Sequence, residues 1–160
     1  MEDKTLTPLF ILAVSLVYEI EANKKSSRQE KAQLITLFGK LVEMNVMREE
    51  EMQTMIKNAF TYTSENDVDE FIKKALNILT DSQRLAVVIN LFDTMQVDGF
   101  ISSAERAITK KFSDAFGIDE ITKRGIEKFL MLKNDTSIFV EQAHPLNNTN
   151  FNIKDIFGNN

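Results

Sequence analysis

The chain contains no cysteine and no tryptophan, and among its 160 residues only one histidine, two prolines and five glycines. Without cysteine there is no disulfide framework, no thiolate zinc site and no cysteine nucleophile. The one histidine, His144, stands before Pro145 in an asparagine-rich stretch, where a solvated loop residue is expected. A single histidine excludes di-iron bundles built on two Glu-x-x-His pairs and zinc motifs of the His-Glu-x-x-His type. It also leaves a nucleophile–base pair little to draw on. No Gly-x-x-x-x-Gly-Lys loop and no Gly-x-Gly-x-x-Gly turn is present to cradle a phosphate. Long apolar runs are lacking too. Leu9 to Ile20 is apolar apart from Ser15 and Glu19, but a membrane span needs about 20 such residues. The Met1-Glu2-Asp3-Lys4 start is not a positively charged leader, so no signal peptide is expected.

What is present points to a folded, acidic, helical domain. Hydrophobic residues make up 43% of the chain and include 12 phenylalanines, too many for general disorder. The length suits one domain with a substantial core. A net charge of −5 and a pI near 5.0 argue against nucleic acid, which selects basic stripes. They are neutral or mildly favourable toward cations. A cytoplasmic location is expected.

No segment alternates polar and apolar residues in the manner of a strand, whereas helical spacing recurs throughout. Thr7-Pro8 opens a first helix reaching about Ala22, with Thr as cap and Pro in the first turn. Its all-round apolar character suits the centre of a bundle. Ser27-Arg-Gln-Glu30 starts a second helix to about Met44, closed by Asn45. Glu49-Glu50-Glu51 opens a third, followed by a turn at Ser64–Asp67 and a fourth helix from Val68. Thr80–Ser82 caps a fifth, Ser102 the sixth, and Asp119 a seventh reaching about Lys133. The Met44, Met47, Met52 and Met55 series reads as core filling more readily than as a copper box. Lys110-Lys111 and Lys123-Arg124 read as helix surface. Residues 1–133 form the expected domain. Residues 134–160 form an asparagine-rich tail, loose or ordered in patches, with Phe139, Phe151, Ile153 and Phe157 available to pin it.

The most informative stretch is Val97-Asp98-Gly99-Phe100-Ile101-Ser102-Ser103-Ala104-Glu105. Asp98-Gly99 breaks the helical period, and Ser102 with Glu105 forms a capping box. The spacing also fits the second half of a calcium-binding helix–loop–helix, with Asp98 at loop position 5, Gly99 at 6 and Glu105 at the bidentate position 12. The first half does not fit, because Thr94 stands where Asp is wanted and Gln96 where Asp or Asn is wanted. Asp93 is one residue out of register and reads as solvated or ion-paired.

A shift of 75 residues superposes the first quarter of the chain on this region. Asn23 then falls on Asp98, Ser27 on Ser102 and Glu30 on Glu105, and the apolar faces coincide. A duplicated helix pair is the reading. The first copy offers Glu19, Glu21, Asn23 and Glu30 at positions 1, 3, 5 and 12, although Lys24 replaces the turn glycine. Packed about a pseudo-twofold, Glu19 and Glu21 could face Asp98 and Glu105. Carboxylates favour calcium, magnesium or manganese over softer metals. The alternative stands equally: these acids are caps and surface charges, because Asp-Gly is a common turn and Glu in the first turn needs no metal. A carboxylate-based hydrolase using Glu19, Glu21 and Asp98 is a remoter reading.

An apolar helix, an acid-bearing turn and Ser-x-x-Glu, twice at this interval, resemble the tellurite-resistance TerB family. Val97–Glu105 and Phe112-x-x-x-Phe116-Gly117-Ile118 carry the likeness best, within residues 6–132. The resemblance implies an all-α bundle of about seven helices in which acids from both halves gather as a divalent-cation site. Asp98 and Glu105 match the second motif and Glu30 the first, while Glu21-Ala22-Asn23-Lys24 replaces the first Asp-Gly. It implies a non-enzymatic stress-response domain with no organic cofactor. Its partners would be other proteins, membrane-associated stress-resistance components among them, with a homodimer also open. The rival reading is a metal-free interaction module of the co-chaperone type, since a similar domain occurs in membrane-tethered DnaJ-class co-chaperones. Metal content separates the two.

Overall fold

The computed structural model describes residues 6–23, 28–97, 99–147, 150 and 152–156, and these form seven α-helices with no strand among them. The helices are α1 (Pro8–Ala22), α2 (Arg28–Glu43), α3 (Glu49–Glu65), α4 (Val68–Ile78), α5 (Asp81–Gln96), α6 (Ser103–Ala115) and α7 (Glu120–Asn134). A 3₁₀ turn at Thr136–Phe139 follows α7, and a second, Ile153–Ile156, lies against that helix.

Side chains that occupy otherwise unsatisfied backbone groups set the helix ends. Thr7 Oγ1 accepts from the Phe10 amide at 3.2 Å, Asp67 caps α4, Thr80 and Gln83 form a capping box on α5, and Asp119 caps α7. Asn45 adopts φ 56° and Gly117 φ 70°, turning the chain out of α2 and α6. The turn expected at Ser64–Asp67 is shorter, because α3 continues through Ser64 and Glu65 and leaves Asn66 and Asp67 as the link.

Helix α1 is the axis of the bundle. It contacts α2, α3, α4, α5 and α6, and every residue from Ala13 to Ile20 is buried. Its neighbour α5 also touches α2, α6 and α7 and buries an unbroken run from Leu91 to Gln96. The most apolar helix, α1, therefore sits at the centre, with α5 beside it. Phe71, in contact with Tyr18, Tyr62 and Phe112, joins α4 to α1, α3 and α6 through edge-on and tilted rings at 5.4–6.2 Å. Met52 enters the core, Met47 and Met55 pack against it, and Met44 is exposed.

Lys123 and His144 depart from the sequence reading, while Asp93 takes the ion-paired alternative that the sequence offered. Lys123 is not helix surface: it is buried, and its Nζ binds Asp114 (2.5 Å) and Glu120 (2.9 Å), joining the end of α6 to the start of α7. Asp93 is ion-paired and nearly sealed, accepting from Gln33 Nε2 (3.0 Å), Lys133 Nζ (2.5 Å) and Asn134 Nδ2 (2.9 Å). It thereby ties α5 to α2 and α7. His144 is not a solvated loop residue: its side chain is 11% exposed, with Nε2 3.1 Å from Asp135 Oδ2 and Nδ1 accepting from the Leu146 amide. That contact, with Asn147 Nδ2 donating to the Ile138 carbonyl, folds residues 140–147 back toward the end of α7. Phe139 and Ile153 do not pin the tail, being 86% and 58% exposed. Phe151 and Phe157 lie outside the described residues.

Candidate functional site

Glu19, Glu30 and Glu105 come from three different helices and are each at most 1% exposed. An ionised carboxylate taken so far from water is costly unless it is paired, hydrogen-bonded or neutralised. Glu19 projects from the last turn and a half of α1, and α6 supplies its partner: Thr109 Oγ1 donates to Glu19 Oε1 at 2.7 Å. Glu105 lies in the first turn of α6, one helical turn from Thr109, so both share a face of that helix. The Ser102 amide donates to Glu105 Oε2 at 2.7 Å, and Ser102 Oγ accepts from the Glu105 amide at 3.2 Å, completing the capping box. Glu30 occupies the corresponding first turn of α2, which begins 75 residues before α6.

Two oxygens are left over. Glu19 Oε2 and Glu105 Oε1 are sealed from solvent without a hydrogen-bond partner among the described residues. Burial pushes the Glu19 carboxyl well above the usual carboxylate range. The Thr109 hydrogen bond opposes this, while the negative charges of Glu105 and then Glu30 add to the rise. The three acids are thus electrostatic neighbours, gathered from both halves of the chain.

Of the other two candidates, Glu21 stands apart. Glu21 does not join the group: it is exposed and accepts from Thr63 Oγ1 of α3 at 2.6 Å. One residue along a helix turns a side chain by about 100°, so Glu19 and Glu21 cannot share a face. Asp98 lies outside the described residues, as do Lys24 and Ser27. Its neighbour Gly99 has φ +74°, the left-handed turn expected at the sixth position of the loop motif. The first half of such a loop is absent, since Thr94, Met95 and Gln96 are still helical and buried in α5. Among the described residues, no group of three or more His, Asp and Glu is arranged to hold a metal ion.

Sequence reasoning missed Thr109. A hydroxyl four residues after a first-turn Glu on an otherwise inward face was the available signal.

The model of the family described as tellurite resistance protein TerB matches residues 10–127. This chain is a TerB-family domain. The matched region runs from α1 into α7 and contains Glu19, Glu30, Thr109 and Glu105. No curated protein and no solved structure gives a significant match to the chain. Among the described residues of this TerB domain, no helix is long and apolar enough to cross a membrane.

Proposed function

We propose that this TerB domain is a non-enzymatic, cation-responsive stress-response module, acting in the cytoplasm through other proteins. Glu19 and Glu105 are the described residues that would receive a divalent cation, with Asp98 as a further donor and Glu30 adding negative charge beside them. The observation that carries this reading is the pair of buried, unpartnered oxygens, Glu19 Oε2 and Glu105 Oε1, on neighbouring carboxylates. Repelling acids are not needed to fill a core, and a cation held among them would offset both repulsion and desolvation. Oxygen donors favour calcium, magnesium or manganese, with water completing the shell. Only half a loop is preformed, so affinity falls in the weak class, on the order of 10⁻⁴–10⁻³ M. The absence of cysteine and the distance in sequence of the single histidine support a role without catalysis.

Thermal unfolding with and without calcium tests the proposal. A cation binding only the folded state raises its stability by mass action, and at tenfold excess over Kd the rise in Tm is about 3–5 °C. Glu105→Gln preserves the capping box, because Gln also accepts from the Ser102 amide. The calcium shift is therefore lost in Glu105→Gln and Asp98→Asn. If the acids are caps and buried spectators, Glu105→Gln is nearly silent and calcium moves none of the three proteins.

A further inference from the structure

A cavity of about 550 Å³ opens between the end of α5, the start of α6 and the second half of α7. Val97, Ile101 and Met131 give it apolar walls, with Gly99 at the turn. Its size falls within the range of pockets that take an organic ligand. Gln96 contributes to the wall, is 9% exposed, and has no side-chain hydrogen-bond partner among the described residues. A primary amide so placed offers one donor face and one acceptor face, the complement of a peptide group.

The charged groups around the opening are spoken for unequally. Arg106 Nη1 stands 3.4 Å from Glu127 Oε1, neutralising that pair. Asp135 accepts from Ser137 and His144, an uncharged hydroxyl and an imidazole, and its carboxyl is held below the usual range chiefly by the Ser137 hydroxyl. Among the described lining residues, Asp135 is thus the carboxylate with no lysine or arginine beside it. Met131, 56% exposed, extends the apolar wall to the surface.

We propose that this cavity receives a peptide segment of a partner protein, an apolar side chain entering between Val97, Ile101 and Met131 and a neighbouring basic residue facing Asp135. The Gln96 amide pairs with the peptide backbone in place of water. The site is independent of the cation reading, and its test is made in the presence of chelator.

The probes are two capped dipeptides, acetyl-Leu-Lys-amide and acetyl-Leu-Glu-amide, titrated into the full ¹⁵N-labelled chain and followed by NMR. The lysine peptide shifts the Gln96 side-chain amide and the Gly99 and Ile101 amides saturably. It binds about two- to fivefold more tightly than the glutamate peptide, the ratio of an exposed charge pair. Met131→Lys, a change at an exposed position that leaves the fold intact, weakens the lysine peptide and removes the preference. Gln96→Leu weakens both peptides. Shifts that do not saturate, an equal response to both peptides, or binding unchanged in Met131→Lys would each overturn the proposal and leave a cavity that holds only solvent.

Discussion

Thr109→Val keeps the shape of the residue and removes the hydroxyl accepted by Glu19 Oε1. Leaving that buried oxygen unpaired costs about 1–3 kcal/mol, readable as a lowered urea midpoint at unchanged slope. Glu19 also makes stability depend on pH. Its folded pKa lies well above the ordinary glutamate value of 4.5, so between the two the folded chain holds a proton that the unfolded chain has lost. The stability it contributes is full below about pH 4.5 and falls as pH rises through the folded value. Glu19→Gln, measured without divalent cations, is expected to flatten the decline, and an unchanged pH profile would show that Glu19 is not the group responsible. The sequence showed the acid types but not their surroundings. Glu30 and Glu105 were legible as first-turn acids, whereas the burial of Glu19 and the exposure of Glu21 depend on which face of α1 meets α6.

The helix boundaries were the most legible feature, because they are local. Thr7, Thr80, Ser102 and Asp119 each cap the helix that their sequence announces, and Asp67 caps α4 from the end of the expected turn. Ser102→Ala removes the acceptor for the Glu105 amide and should cost about 1 kcal/mol; a loss well under half of that would mean the box is not formed in solution. Contacts between elements were not legible. Asp93 looked like an acid out of register, yet Gln33, Lys133 and Asn134 converge on it from two other helices. Asp93→Ala strands these donors and should lower stability by about 1–3 kcal/mol, while Lys133→Ala alone, at a half-exposed cation, should cost under about 1 kcal/mol. Comparable losses from the two variants would assign the network's contribution to the ion pair rather than to the buried carboxylate.

For the molecule as a whole, helical periodicity pointed to an all-helical bundle with the apolar α1 at its centre, and the two motifs pointed to the TerB family that residues 10–127 match. The tail was read less well. Its order near α7 comes from His144, Asp135 and Asn147, polar contacts that composition does not reveal, while the described Phe139 stays exposed. Removing residues 148–160 should therefore leave helical content and cooperative unfolding intact with only a modest loss of Tm; loss of cooperativity would make the tail part of the core. The central claim concerns the buried acids. Equilibrium dialysis against calcium, with protein in the wild-type, Glu19→Gln and Glu105→Gln forms, tests it most directly. The expected result is one calcium per wild-type chain, with Kd on the order of 10⁻⁴–10⁻³ M, and binding weakened in both folded variants. No bound calcium, or the same binding in all three proteins, would contradict it.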